Sequence, residues 1–132
     1  MKINSTDAST RKYFIKCFEK ERQKLMENRG VFSVAFIDID DFEEVNETYG
    51  HLAGDNILID FVKIISAHLG EGEDVFRFGG DEFLVLFPEK GEQEAKSVIV
   101  EISQDILLKK FGTPDNQSEA AVTFSSGIAA IH

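Results

Sequence analysis

The sequence predicts an α+β domain with a ferredoxin-like βαββαβ core and an extra N-terminal helix. Three features support this prediction: a long apolar run at residues 31–42, a glycine-rich turn between two short strand-like runs at residues 75–87, and an amphipathic segment at residues 92–110. The expected order of elements is helix, strand, helix, strand, hairpin strand, helix and strand. After the first helix, this order is that of a split βαβ unit with a mainly antiparallel sheet.

Composition limits the partners and the cellular location that we expect. The 132 residues suffice for one domain, and a net charge of −10 argues against DNA or RNA as a partner while it allows a nucleotide that arrives with a divalent metal. Cys17 is the single cysteine, so no intramolecular disulfide forms and a reducing cytosol is expected. We find no signal peptide and no apolar run that could span a bilayer, which predicts a cytoplasmic segment without membrane contact.

Residues 1–30 predict a helical lead-in. Ser9 or Thr10 is a candidate N-cap, and Gly30 is expected to end the helix. Apolar side chains recur on one broad face, at Phe14, Cys17, Phe18 and Leu25. We therefore expect a helix that packs against the domain formed by residues 31–132.

The apolar run Val31 to Phe42 predicts a central strand, because it is apolar on both faces. The run ends in three carboxylates, Asp38, Asp40 and Asp41. Ligands of open α/β sheets usually lie at the C-terminal ends of such strands. We therefore expect this acidic cluster to lie where a ligand binds.

Two helices are predicted after this strand. Asp41 to Tyr49 predicts a short helix that Gly50 ends, and a second helix is expected to start at Asp55 and to run to Gly70. The core-facing residues of the second helix are Leu58, Phe61, Val62, Ile65 and Leu69. His51 lies in the turn between the helices, and we assign no chemistry to it.

Two strand-like runs, Val75 to Phe78 and Phe83 to Phe87, flank Gly79-Gly80-Asp81-Glu82 and predict a hairpin. On these residues alone, the two adjacent carboxylates are compatible with an ordinary acidic turn or with a metal site. If the hairpin lies beside the first strand, Asp38 and Glu82 can converge on one hard cation. Oxygen ligands of this kind suit Mg²⁺, which completes its shell with water and substrate phosphates.

The last part of the chain predicts a helix and a strand. The helix is expected from Glu92 to Lys110, with Lys109 and Lys110 in its last turn. Its buried face consists of Ala95, Val98, Ile99, Ile102 and Ile106. A loop is expected from Gly112 to Ser118. The apolar residues of the final strand are Val122, Phe124 and Ile128.

Three stretches resemble the GGDEF domain, the catalytic domain of bacterial diguanylate cyclases. FGGDEF at residues 78–83 matches the motif that names the family, and DIDDFEEVNETYGHLAGD at residues 38–55 resembles its D-x-D-x-F-K-x-x-N-D-x-x-G-H-x-x-G-D motif. TFSSGIA at residues 123–129 also fits. The resemblance implies a fold like the palm of nucleotide cyclases and polymerases. It also implies an enzyme that joins two GTP molecules into cyclic di-GMP and releases pyrophosphate.

The resemblance implies a metal site and a catalytic carboxylate. Asp38 and Glu82 match the family's metal ligands, with the carbonyl of Ile39 assisting, and the expected metal is Mg²⁺ or Mn²⁺. Asp81 matches the carboxylate near the attacking 3′-hydroxyl and is a candidate general base.

The resemblance also implies a substrate site. Asn46 and Asp55 match the guanine contacts, and their oxygens suit a base edge that carries N1–H and N2–H₂ donors. Phe42 and Glu43 lie where backbone amides approach the phosphates. Because two GTP-loaded sites must meet, an active form implies a transient homodimer. A fused sensor or regulatory domain is expected in the parent protein.

The sequence departs from the family pattern at several positions. Glu43 replaces a phosphate-facing lysine and Glu47 replaces an aspartate, while the N-terminal D-x-L-T-G-L-x-N-R motif keeps only Thr6 and Arg11 in register. The family continues beyond the TFSSGIA strand into a further helix whose lysine and arginine hold the phosphates, and into a further strand. We therefore expect a C-terminally truncated, partly degenerate domain at residues 31–132 and no measurable cyclic di-GMP from this chain alone.

Two alternatives to a cyclase differ in how well the residues support them. A degenerate module would bind GTP or a protein partner and regulate without catalysis, which Glu43 favours. A Ca²⁺ loop at residues 38–47 is excluded, because an EF-hand needs an oxygen ligand at Phe42 and a glycine at Glu43.

Overall fold

The central strand predicted from the long apolar run is Phe32–Ile39, and it pairs with a neighbour on each side. The computed structural model describes residues 7–28, 30–112 and 119–132. In chain order the described elements are α1 (Asp7–Asn28), β1 (Phe32–Ile39), α2 (Phe42–Tyr49), α3 (His51–Ala67), β2 (Asp74–Arg77), β3 (Glu82–Phe87), α4 (Glu92–Leu108), β4 (Phe111–Gly112), β5 (Glu119–Ala120) and β6 (Phe124–Ile131).

The main sheet of the described residues has the strand order β2-β3-β1-β6, and every neighbouring pair is antiparallel. The chain passes from β1 through two helices to β2 and from β3 through α4 to β6, so β3 or β1 lies between the connected strands. This is the arrangement of a ferredoxin-like βαββαβ unit. The predicted fold class is therefore confirmed.

Residues of β1 point alternately to the two faces of the sheet. Ala35, Ile37 and Ile39 are buried in the main core with the apolar faces of α3 and α4. Phe32 lies on the opposite face, in a second cluster with residues of α1 and of β2 and β3. The other members of this cluster include Phe14, Cys17, Phe18, Leu25, Phe76 and Leu86. The packing face predicted for α1 is confirmed, and alternation places Asp38 on the α1 side of the sheet.

Two predicted helix starts are wrong. Helix α1 begins at Asp7, so Ser9 and Thr10 lie inside it, and the buried hydroxyl of Thr10 has no hydrogen-bond partner among the described residues. Helix α3 begins at His51, because Gly50 adopts a φ of 91° and its carbonyl already accepts a bond of 3.1 Å from the amide of Gly54. Asp55 therefore lies in the second turn of α3.

The helix predicted to reach Lys110 ends earlier. Helix α4 ends at Leu108 and Lys109 is extended, so the two lysines follow the last turn. The cause is tertiary, because the buried ring of Phe111 enters the core and starts the short β4–β5 pair that the sequence analysis missed. Residues 113–118 of the predicted loop, and Thr6, lie outside the described residues. None of the helices in the described part of the chain is long and apolar enough to cross a membrane.

Candidate active site

Asp38 and Glu82 lie directly opposite each other, where β1 ends and β3 begins. The antiparallel register of β1 and β3 pairs them, and the amide of Ile39 donates a hydrogen bond of 3.0 Å to the carbonyl of Asp81. Directly opposed residues point to the same face, with Cβ atoms about 5 Å apart. The structure thus brings together three residues expected at the metal, Asp38, Ile39 and Glu82, with Asp81 beside them.

The electrostatics of this site are set by carboxylates that lie close together. Burial raises the pKa of the half-buried Asp38 carboxyl above its ordinary value of 3.8. The charge of Asp81 and its hydrogen bond to Asp38 raise this pKa further, and the charges of Glu82 and Asp40 add smaller effects in the same direction. Each effect disfavours an additional negative charge, so a bound cation would relieve the repulsion.

The donor set fits Mg²⁺ or Mn²⁺ bound by few protein ligands. Across residues 7–28, 30–112 and 119–132, no group of three or more His, Cys, Asp or Glu side chains has the arrangement of a metal site. Asp38 and Glu82 are a carboxylate pair, and Mg²⁺ is commonly held by one or two carboxylates together with water and phosphate oxygens. Gly79 makes room for this pair, since a Cβ atom there would lie 2.7 Å from Oε1 of Glu82.

The hairpin tip that carries Asp81 is held by a residue that the sequence analysis missed. Arg77 donates from Nε to the carbonyl of Gly79 and from Nη2 to the carbonyl of Gly80, both at 3.0 Å. The amide of Phe78 donates 2.8 Å to the carbonyl of Glu82 and closes the turn. Asp81 is half-buried. The available signal was an arginine two residues before a pair of glycines, because a guanidinium can bind two carbonyls at once.

Helix α1 reaches the same hairpin through Arg11. Its guanidinium lies 5.7 Å from the centre of the Phe78 ring and donates a long hydrogen bond of 3.5 Å to the carbonyl of Phe78. Arg11 is exposed, so this contact contributes little to stability. It does place the lead-in helix against the hairpin that carries Asp81.

Phe42 and Glu43 begin helix α2, and two residues separate this helix from the end of β1. Asp41 precedes the helix in the left-handed conformation, with φ 55° and ψ 31°. Phe42 is buried in the core, whereas Glu43 is exposed in the first turn beside Glu44. The backbone amides of a first helical turn suit an anion, but two carboxylates oppose one.

Asn46 and Asp55 lie near the corner between α2 and α3. The side chain of Asn46 occupies the space above Gly54, where a Cβ atom would lie 1.8 Å from Oδ1 of Asn46 and 3.3 Å from Cζ of Phe42. Asn46 is half-buried, and Asp55 follows Gly54 and is exposed. Gly54 therefore lets the two helices approach, which places Asn46 beside the residue preceding Asp55.

The carboxylate of Asp40 hydrogen-bonds to residues at the start of β6. Its Oδ2 accepts a hydrogen bond of 2.8 Å from Oγ1 of Thr123, and its Oδ1 accepts one of 2.7 Å from Oγ of Ser125. From the sequence, Asp40 was expected only as a member of the acidic cluster, without a separate role. The hydroxyls of the TFSSGIA stretch were the available signal for this contact.

Comparison with known proteins identifies the family. The sequence matches the family described as "Diguanylate cyclase, GGDEF domain" over residues 4–132. The chain belongs to the GGDEF domain family. The resemblance inferred from the motifs is therefore confirmed, and this GGDEF domain has relatives that are named diguanylate cyclases.

Two of these relatives show how much of the sequence is shared. Diguanylate cyclase DosC of Escherichia coli (strain K12) is 30% identical over 124 residues, which are 94% of this chain and 27% of DosC. Diguanylate cyclase A of Treponema denticola is 35% identical over 104 residues, which are 79% of this chain and 28% of that protein. The GGDEF domain described here thus spans just over a quarter of the length of these relatives.

Solved structures show the same fold. The GGDEF domain of PA1120 (YfiN or TpbB) from Pseudomonas aeruginosa has a TM-score of 0.85 and 31% identity, and the match covers 91% of this chain and 74% of that one. The GGDEF domain of DgcB from Caulobacter crescentus, solved in complex with c-di-GMP, has a TM-score of 0.84 and 27% identity over 92% of this chain and 72% of that one.

Proposed function

We propose that this GGDEF domain is the catalytic part of a diguanylate cyclase that condenses two GTP molecules into cyclic di-GMP. The observation that carries the proposal is the pairing of Asp38 with Glu82 beside the intact hairpin of residues 78–83. The names of the relatives support the same enzyme class. The acidic pair, the glycine that makes room for it and the repulsion that a cation would relieve all agree with nucleotide chemistry at this edge of the sheet.

The metal site is proposed at Asp38, Glu82 and the carbonyl of Ile39, for Mg²⁺ or Mn²⁺. A divalent metal bound there would neutralise charge at the phosphates and make the attacking hydroxyl more acidic. Asp38 and Glu82 would hold it where β1 ends and β3 begins, since the strand register keeps both carboxylates on one face. Asp81 lies next to this pair, and we propose that it accepts the proton of the attacking 3′-hydroxyl.

We propose that GTP lies between this carboxylate pair and the α2–α3 corner. The guanine would be read by Asn46 and Asp55, whose oxygens accept from N1–H and N2–H₂. The phosphates would meet the backbone amides of Phe42 and Glu43. Adenine lacks both of those donors, so the wrong base would leave the carboxylate of Asp55 unpaired.

A second function is favoured by one observation. Glu43 and Glu44 place two carboxylates in the first turn of α2, where the family has a phosphate-facing lysine at the first of these positions. This charge opposes the triphosphate and favours a degenerate module that binds GTP or a protein partner without turnover. The two functions share the guanine and metal sites and differ in catalysis.

The wider context of the domain is also proposed. Residues 1–30 would be a lead-in to a GGDEF domain at residues 31–132, within a cytoplasmic protein that carries a sensor or regulatory domain and forms a transient homodimer. A bifunctional relative in Pseudomonas aeruginosa, MucR, and the structure of diguanylate cyclase SiaD with its activator SiaC support fused or separate regulation. Two GTP-loaded sites must face each other for condensation, which requires the dimer.

Base-selective binding tests the proposal. Calorimetric titration with GTP and with ATP, each with and without Mg²⁺, should show Mg²⁺-dependent binding that favours GTP. Asp55→Ala should remove the preference, because it removes an acceptor that only guanine satisfies. Asp60→Ala, which changes a half-buried aspartate of α3 that has no proposed role, is the matched control. Equal affinity for both nucleotides would exclude the guanine site, and product analysis then separates a cyclase from a degenerate module.

A further inference from the structure

We propose that Asp40, Thr123 and Ser125 form a clasp that positions the metal end of the site against its phosphate end. These three are positioning residues, since they act through Asp38 and through the start of α2 rather than on the substrate. The inference rests on the proposed function and extends it to residues that have no part in the expected metal or nucleotide contacts.

The clasp consists of three hydrogen bonds between the turn after β1 and the start of β6. The amide of Asp40 donates 2.9 Å to the carbonyl of Thr123, and the two carboxylate oxygens of Asp40 accept from the hydroxyls of Thr123 and Ser125 at 2.8 and 2.7 Å. Hydrogen bonds to an ionised carboxylate are stronger than neutral ones. Both oxygens of Asp40 thereby accept hydrogen bonds, one from Thr123 directly before β6 and one from Ser125 within β6.

The position of the clasp links the two halves of the site. Asp38, two residues before Asp40, is paired with Glu82 on one side and with Ser125 on the other. Phe42, two residues after Asp40, begins α2. A single short turn therefore sets the distance and angle between the carboxylate pair and the first amides of α2.

This turn contains a backbone conformation that must be held in place. Asp41 is in the left-handed region, with φ 55° and ψ 31°, and this conformation costs free energy for a residue other than glycine. Such a conformation persists where neighbouring contacts enforce it. The clasp supplies contacts directly before Asp41, and the buried ring of Phe42 supplies one directly after it.

Loss of the clasp should therefore change the geometry of the site while the domain remains folded. The pairing of β1 with β6 extends over eight residue pairs from Phe32 to Ile39, so removing two terminal hydroxyls leaves most of that ladder intact. Asp41 could then relax, and the start of α2 would move relative to Asp38. A ligand that contacts both Asp38 and the start of α2 should therefore bind more weakly, while the free energy of unfolding changes less.

The test compares the wild-type chain with the double variant Thr123→Val, Ser125→Ala. We measure the Mg²⁺ concentration that half-saturates GTP binding, and hydrogen exchange of residues 40–44. The double variant should need about fivefold more Mg²⁺ or higher, as expected for the loss of one or more hydrogen bonds to a charged group. Exchange at residues 40–44 should rise while the amides of β1 and β6 stay protected.

Two matched variants separate positioning from general stability. Thr123→Ser keeps the hydroxyl and should behave as wild type. Ser126→Ala changes an exposed serine on the same strand that makes no side-chain hydrogen bond to the described residues, and it should change neither measurement. If the double variant fails to fold, Ser125→Ala alone provides both measurements, with a smaller expected shift.

The outcomes are distinguishable. Unchanged Mg²⁺ half-saturation, or an equal loss in Ser126→Ala, would overturn the clasp as a positioning device. If the wild-type chain binds no GTP with Mg²⁺, the proposed function is refuted, and so is the role of the clasp in binding. The exchange measurement then still decides whether the clasp holds the start of α2, since it needs no nucleotide.

Discussion

Replacing Asp38 by asparagine should make the metal-free protein more stable and at the same time remove its response to Mg²⁺. Asp38 faces Glu82 across the strands and lies close to Asp81. Two unit charges about 5 Å apart repel by about 3 kcal/mol at an effective dielectric of about 20 and by about 1 kcal/mol in water. Because the site is half-exposed, we expect a gain near the lower end, about 1–2 kcal/mol.

The measurement is a thermal melt at pH 7 in EDTA and again with Mg²⁺. A gain of 1–2 kcal/mol should raise the midpoint of the variant by about 4–8 °C for a domain of this size. In the wild type, Mg²⁺ at 100 times its dissociation constant should raise the free energy of unfolding by about 2.7 kcal/mol. In the variant, Mg²⁺ should raise it by much less. Asp60→Asn, which removes an acid on α3 outside the proposed site, should change the free energy of unfolding by less than about 0.5 kcal/mol.

The pH dependence has a definite sign. Burial and neighbouring carboxylates raise the folded-state pKa of Asp38 above 3.8, so the folded protein binds this proton more tightly than the unfolded chain does. The stabilisation that comes from the protonated Asp38 is fully present below pH 3.8 and is lost as the pH rises through the folded-state pKa. The advantage of Asp38→Asn should therefore appear at neutral pH and vanish in acid. A variant that melts below wild type at pH 7 in EDTA would refute the like-charge argument.

Two further predictions concern neighbouring positions. Gly79→Ala should weaken Mg²⁺ binding several-fold in a titration, because its Cβ atom would lie 2.7 Å from Oε1 of Glu82; Gly80→Ala is the control, since a Cβ there meets nothing within 4 Å. Equal effects of the two glycine variants would contradict this account. The wild-type chain should form no cyclic di-GMP that chromatography detects, because Glu43 opposes charge on the phosphates, whereas Glu43→Lys should tighten GTP binding and raise the rate of a competent parent protein. Robust product from the unaltered chain would show that other groups hold the phosphates.

The local sequence pattern predicted where the long helices lie but not where α1 and α3 begin. Apolar spacing placed all four long elements on the α1, β1, α3 and α4 segments, and the predicted apolar residues are buried in the two clusters or packed, partly buried, against them. The starts of α1 and α3 were missed because a polar residue signals a cap only if the backbone changes conformation there. In α3 that change occurs at Gly50, through its φ of 91°, four residues after Asn46.

The sequence by itself determined the family, the fold class and the identities of the expected site residues, because motifs and apolar periodicity are properties of neighbouring positions. The tertiary structure determined which of these residues lie close together in space. The register of β1 places Asp38 between Glu82 and Ser125, and Asp40 bonds to hydroxyls 83 and 85 positions away. Such contacts depend on how strands pair, and a shift of one residue would turn Asp38 to the opposite face.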